Sequence, residues 1–288
     1  MTATRLLTVL VLLTIAFGAA ARDIQDHPRA EIKVSYNYHH KFLRGSDGVV
    51  EKNTPFILLA NRNQSKFYCP STEFKDSLES TPSGRAKSKQ MFSAAAAAYA
   101  QTRDRSAMDA VVYHSRLYVL KIFDKSVSTT YDQAGMGECG YYDEPFSETE
   151  WNIVEDSTKT ILDYQCVMAT TDYHGRNWTV WFSPEIPMQD GPWKFCSLPG
   201  LILEATEPSG QHSFSATGIE TSSQTIFPVF NTEYEKMNRI DMLRTERHYK
   251  ENSNAMFKAA TGHELGSGVD APVTEESRKY DYLETDYH

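Results

Sequence analysis

The stretch GPWKFCSLPGLILEA, residues 191–205, places the strongest turn signals of the chain directly before its most apolar segment beyond the N-terminus. Gly191-Pro192 and Leu198-Pro199-Gly200 surround Cys196, and Leu201-Ile202-Leu203 follows at once. Leu198-Pro199-Gly200 fits a tight turn, with proline at the second place and glycine at the third. The stretch therefore predicts a loop that redirects the chain, so that Leu201-Ile202-Leu203 enters a sheet as a buried strand.

The segment before this loop, residues 164–183, predicts a β-hairpin. Its two-residue turn is expected at His174-Gly175, because glycine supplies the positive φ that tight hairpin turns require. Counting outward from the turn gives the pairs Thr171/Trp178, Ala169/Val180, Val167/Phe182, Met168/Trp181 and Cys166/Ser183.

Both faces of this hairpin carry large apolar side chains, so we expect both to be covered. The main core would cover one face, and an alanine-rich helix is a candidate for that cover. A second protein layer or a ligand cavity would cover the other. The residues that could face a ligand there are Trp181, Met168 and Tyr164.

The remaining chain shows mostly strand patterns. Residues 30–42 alternate between apolar and polar side chains, and two short apolar runs flank a turn at residues 61–64. Residues 84–110 are rich in alanine and predict one helix, broken near Arg105-Ser106. From Ser115 to Ser222, strands recur between turn residues, as in antiparallel sheets. The expected fold is mainly β with one helical segment (α+β), a curved antiparallel sheet or partly open barrel, in a single domain.

The two ends of the chain differ from this domain. Residues 1–21 have the layout of a secretory signal peptide, with Arg5 before an apolar run and alanines at the expected cleavage site. The run is too short to span a bilayer, and we expect no membrane span in the mature chain. The β-rich domain would occupy residues 22–261. Residues 262–288 carry seven acidic and two basic side chains with few aliphatics, and they predict a flexible acidic tail whose tyrosines could dock on a partner.

The four cysteines are expected to form disulfides, because an exported chain matures in an oxidising compartment. Four cysteines allow three pairings. We favour Cys166–Cys196, since a strand starting at Leu201 that returned beside the hairpin would bring the two together. Cys69–Cys139 follows by elimination.

The motif at residues 164–202 resembles the GLPGLI family of exported Bacteroidota proteins. The residues that carry the likeness are Tyr164, Cys166, Ala169, Gly175, Arg176, Trp181, Phe182, Ile186, Pro187, Gly191, Pro192, Phe195, Leu198, Pro199, Gly200, Leu201 and Ile202. Ser197 stands at the first glycine of the namesake motif, and Asp163 stands where the family often has glycine. The likeness extends over residues 30–222. It implies a β-rich periplasmic or outer-membrane-associated protein, often encoded near outer-membrane transporters, and it implies no catalytic residues.

Candidate chemistry is sparse. His39 and His40 are neighbours on a predicted strand, so they point to opposite faces and cannot chelate one ion. Cys166 with His174 and Asp172 could form a nucleophilic set, which would make the chain a thiol-dependent hydrolase. A disulfide explains Cys166 more simply. We therefore predict no catalytic residues, no metal and no cofactor.

The net charge of −9 argues against a nucleic-acid partner, which requires a basic face. The function expected from the sequence is a non-enzymatic binding or accessory module of the cell envelope. It would serve an outer-membrane partner or a hydrophobic ligand, and the thiol-dependent hydrolase is the alternative.

Overall fold

The computed structural model describes residues 27–43, 49–104, 106–109, 111–146, 149–230, 233–252, 255–256, 258–259, 262 and 282–287. The predicted signal peptide lies outside the described residues, as does most of the predicted tail. No helix in the described ranges has the length and apolar character needed to cross a bilayer.

The described chain forms one curved sheet of 12 strands, which confirms the predicted fold class. The strands are β1 (Ile32–Leu43), β2 (Val49–Ala60), β3 (Gln64–Tyr68), β4 (Tyr118–Ile122), β5 (Val127–Gln133), β6 (Cys139–Pro145), β7 (Asn152–Ile161), β8 (Tyr164–Tyr173), β9 (Arg176–Ser183), β10 (Leu201–Thr206), β11 (His212–Thr221) and β12 (Glu235–Lys236). Their order in the sheet is β12-β6-β5-β4-β3-β2-β1-β11-β10-β9-β8-β7. Every pairing is antiparallel except that of β12 with β6.

In the described part of the chain, four named α-helices accompany the sheet: α1 (Pro70–Glu79), α2 (Pro82–Thr102), α3 (Ser106–Asp109) and α4 (Arg239–Glu251). The alanine-rich helix α2 ends at Thr102 and α3 begins at Ser106, while Arg105, where a break was predicted, lies outside the described residues. That helix does not cover the β8–β9 hairpin. It packs with α1 and α3. A hydrogen bond from Tyr118 to Asp76 joins α1 to the face of the sheet that points away from the main core, which we call the outer face.

The β8–β9 hairpin has the predicted turn and register. His174 and Gly175 both have positive φ, 52° and 78°, and Met168 pairs with Trp181. One face carries Trp178, 1% exposed, and belongs to the main core. The other face is only half-buried, and the cover near Trp181 is the Lys159 side chain, whose Nζ lies 4.4 Å from the ring centroid. The expected full cover on both faces is therefore wrong, because long side chains of adjacent strands replace a second layer.

The segment 184–200 folds back over one face of the sheet, which we call the inner face. Its Trp193, Phe195 and Leu198 join the core cluster with residues of β1 and β11. Lys121 on β4 donates to Asp190 Oδ1 at 2.5 Å and to the carbonyl oxygens of Gly191 and Phe195, both at 2.9 Å. The quoted stretch thus does more than turn the chain, because it fills the inside of the rolled sheet.

The predicted disulfides are wrong, because all four cysteines are free thiols. Cys196 forms a β-bridge with Asp190, inside the segment that contacts β4. Cys166 is on β8, which is not next to β10, because β9 lies between these two strands in the sheet. Cys69 follows β3 and Cys139 begins β6. Three strand spacings of about 4.8 Å separate those two strands, which exceeds the reach of a disulfide.

Candidate binding site on the inner face of the sheet

A cavity of about 170 Å³ lies between the inner face and a cover formed by α4 and residues 282–287. The aromatic rings of Tyr38, Phe56 and Trp193 line it from the sheet side, and Tyr282 and Tyr287 line it from the cover. The aliphatic side chains in its wall are Leu117, Met242, Leu243 and Leu283, and the polar ones are His40, Ser115, Thr130, Asp132, Tyr142, Glu246, Lys250 and Glu284. The wall therefore combines an apolar part with several polar groups that could orient a ligand, as small-molecule sites do.

A carboxyl group and an imidazole in the cavity wall are shifted toward their neutral forms. Burial, together with the charge of Glu246, raises the pKa of Asp132 to about 7, while the Gln133 backbone hydrogen bond, Lys250 and Arg116 oppose the shift. Burial lowers the pKa of His40 to about 4, with help from Lys52 and Lys250. Both shifts follow from the cost of placing a charge in an apolar wall.

The cavity ends at a cluster of charged side chains that we call the ionic cluster, made of Glu144, His174, Lys194, Arg239, Glu284 and Asp286. Lys194 is fully buried, and its Nζ lies 2.6 Å from both Glu144 Oε2 and Glu284 Oε1. His174 Nε2 lies 3.2 Å from Glu144 Oε1. Because Glu144 is on β6 and His174 is in the β8–β9 turn, the cluster joins strands from near the two ends of the sheet.

The ionic cluster favours its charged forms. Burial alone would raise the pKa of Glu144, but the charge of Lys194 and the hydrogen bond from His174 outweigh it and lower the pKa to about 2. The pKa of Glu284 is lowered by Lys194 and His174, against the effect of burial. The pKa of Asp286 is lowered by His174 and Arg239, also against the effect of burial. Burial and Lys194 lower the pKa of His174, yet the carboxylates around it raise it overall.

His174, Glu284 and Asp286 could together offer ligand atoms within 4.8 Å of one another. The same oxygens already bind cations, since Arg239 Nε donates to Glu284 at 2.9 Å and its NH2 group donates to both carboxylates. A metal ion would have to displace a guanidinium, so the geometry fits an ion-pair network better than a metal site.

This cluster was not predicted from the sequence, although His174 was predicted as a turn residue and the acidic residues of the tail were noted. Part of the predicted tail, residues 282–287, is packed on the domain rather than free of it, and Tyr282, Glu284 and Tyr287 are each less than a tenth exposed. Residues 263–281 lie outside the described residues. The available signal in the sequence was two acids, Glu284 and Asp286, between two tyrosines.

The sequence-predicted site residues lie elsewhere. Trp181 and Met168 are half-buried on the outer face of the hairpin, and they do not line the cavity, nor does Tyr164. A ligand at these residues stays a prediction. The motif residues Gly191, Pro192, Leu198, Gly200, Leu201 and Ile202 are buried, whereas Pro199 is exposed. Gly200 has no room for a side chain, since an added Cβ would lie 2.2 Å from the carbonyl oxygen of Ser183.

The alternative nucleophilic set does not assemble. Cys166 and His174 are eight positions apart along one extended strand, a separation of about 26 Å. Burial raises the pKa of Cys166 to about 11, which disfavours the reactive thiolate. His39 and His40 do point to opposite faces, since His39 contacts Asn53 while His40 lines the cavity.

Comparison with known proteins assigns no activity. A family described as "Protein of unknown function (Porph_ging)" matches residues 173–204, the segment from the hairpin turn to β10, and is compatible with the resemblance seen in the sequence. A search of curated proteins found no match.

Three solved structures are similar to this chain to different extents. PNGF-II in a P21 crystal form is 10% identical with a TM-score of 0.50, and the match covers 76% of this chain and 34% of that chain. MucB in complex with MucA(peri) is 9% identical with a TM-score of 0.30, covering 72% and 53%. A putative outer membrane lipoprotein-sorting protein domain from Vibrio parahaemolyticus is 6% identical with a TM-score of 0.24, covering 70% and 90%. The chain spans about a third of the length of PNGF-II, and the likeness concerns the fold alone.

Proposed function

We propose that this chain is an exported, non-enzymatic binding module of the cell envelope whose inner-face cavity holds a hydrophobic ligand. The cavity between the sheet and α4 carries this proposal. An engineered apolar cavity of about 150 Å³ binds benzene, so a volume of about 170 Å³ suits one aromatic ring or a short acyl segment.

The envelope location rests on the predicted signal peptide and on the resemblance to the GLPGLI family. The same resemblance supports an outer-membrane partner near a transporter as part of the proposal. The absence of an assembled Cys166–His174 pair supports a binding role over the hydrolase alternative.

Isothermal titration with indole as the probe tests the cavity. We expect saturable binding at one site, because an indole ring matches the aromatic wall in size and character. Leu117→Trp places a large ring in the cavity and should weaken indole binding at least tenfold. The matched control is Leu162→Trp at an exposed turn position, which should bind indole like the unaltered chain.

Melting curves of both variants verify that the fold is kept. Absence of saturable indole binding in the unaltered chain, or equal affinity in Leu117→Trp and the control, would overturn the cavity as the ligand site.

A further inference from the structure

Residues 282–287, the sequence YLETDY, lie along the ionic cluster as a bound peptide would. The Thr285 amide donates to the carbonyl oxygen of His174 at 2.9 Å. Arg176 Nε donates to the carbonyl oxygen of Leu283 at 3.1 Å, and Arg244 Nε donates to that of Tyr287 at 3.2 Å. These contacts recognise the main chain, and they would be available to any peptide that adopts the same backbone conformation.

The acidic side chains of this segment supply negative charge opposite the cations of the ionic cluster. Glu284 binds Lys194 and Arg239, and Asp286 binds Arg239 and lies 3.2 Å from His174. Lys194 is fully buried and keeps Glu144 as its other carboxylate. If the segment left, Arg239 would lose two of its three carboxylates, so a replacement must bring acidic groups of its own.

The aromatic residues at both ends of the segment pack against α4. Tyr282 and Tyr287 are buried against α4, with ring centroids 6.5 Å apart. Lys250 Nζ lies 5.1 Å from the centroid of the Tyr282 ring, within the range of a cation–π contact. The pattern that fits the groove is therefore two acids at alternate positions between two aromatic rings.

We infer that the groove formed by β6, the β8–β9 turn and α4 is a binding site for short acidic peptides, occupied here by the chain's own residues 282–287. The inference uses the same inner face as the proposed function, because the docked segment forms one wall of the cavity. A partner peptide with the same pattern would replace the segment and leave the cavity wall intact.

The test measures fluorescence anisotropy of a labelled peptide, YLETDY, added to the full-length chain. The variant Glu284→Lys/Asp286→Lys repels its own segment from Lys194 and Arg239 and leaves the groove for the added peptide. We expect the peptide to bind this variant at least tenfold more tightly than it binds the unaltered chain, whose tethered segment competes. The charge-reversed peptide YLKTKY should bind the variant at least tenfold more weakly than YLETDY.

The matched control, Glu155→Lys/Asp156→Lys, reverses one glutamate and one aspartate at exposed positions of β7 and should behave like the unaltered chain. If Glu284→Lys/Asp286→Lys shows no melting transition, Glu284→Gln/Asp286→Asn is used as the test variant instead, because it removes the same negative charges at constant side-chain size. Equal binding of the two peptides, or equal binding to the variant and the control, would overturn the inference. Indole binding is measured on the unaltered chain, so either proposal can fail while the other stands.

Discussion

Asp132 on β5 is a carboxyl group in the cavity wall, and its titration should be visible in stability. Its pKa is raised from 3.8 to about 7 in the folded chain. The folded state therefore binds the proton more tightly than the unfolded state. The stability linked to this proton is fully present below about pH 3.8 and is lost as the pH rises through about 7.

Asp132→Asn removes this dependence and still offers an oxygen to the Gln133 amide, which donates to Asp132 Oδ1 at 2.7 Å. We expect the variant to exceed the unaltered chain in free energy of unfolding at pH 8, and the gain to disappear near pH 4. Urea unfolding at the two pH values measures it. The control, Asp172→Asn at an exposed position, should change the free energy of unfolding by less than about 0.5 kcal/mol at both pH values. A gain that does not vary with pH would contradict the assignment.

Two glycines of the motif show how far single residues could be interpreted from the sequence. The prediction for Gly175 holds, because the turn needs positive φ and the residue has φ of 78°. Gly200 was assigned to a tight turn on the same grounds. Its requirement is instead space beside the Ser183 carbonyl, a contact that depends on strand pairing and is invisible in a local pattern. Ser197 adopts a φ of 73° although it is not glycine.

At the scale of elements, the β8–β9 hairpin has one core face and one half-exposed face. Trp178→Ala should cost about 3–5 kcal/mol of unfolding free energy, since the ring is 1% exposed and packs on Phe195. Trp181→Ala should cost half of that or less, because its ring is only partly buried and loses less contact with the rest of the chain. Urea unfolding of both variants measures the difference. Equal losses would mean that the outer face is as fully covered as the sequence predicted.

Elements with a local signal were predicted well, and those held by distant contacts were not. The β8–β9 register follows from one turn and the alternation around it. The docked residues 282–287 depend on partners such as Lys194, which is 90 positions away from Glu284. The tail at residues 262–288 is poor in aliphatic residues, and this composition did not indicate that residues 282–287 would pack against buried cationic side chains.

At the scale of the whole molecule, the sheet is rolled, and polar contacts across its interior stabilise this curvature. β4 and β9 are separated by five strands in the sheet order, yet Lys121 on β4 meets the segment that follows β9. The ionic cluster makes a similar connection between β6 and the β8–β9 turn. Both contacts bury charge, so the loss of one partner leaves the other without compensation.

Lys121→Met is the sharpest test of this view, because Lys121 and Asp190 are both fully buried and Lys121 also binds two carbonyl oxygens. We expect a loss of about 3–5 kcal/mol in unfolding free energy. The segment 184–200 should also loosen, so the buried Cys196 thiol would react faster with a thiol reagent under native conditions, while Cys166 would not. Lys33→Met breaks a surface pair with Glu220 and should cost less than about 1 kcal/mol. Equal losses in the two variants, or faster reaction at both cysteines, would mean that Lys121 does not hold the roll by itself and that the packed side chains of the segment do.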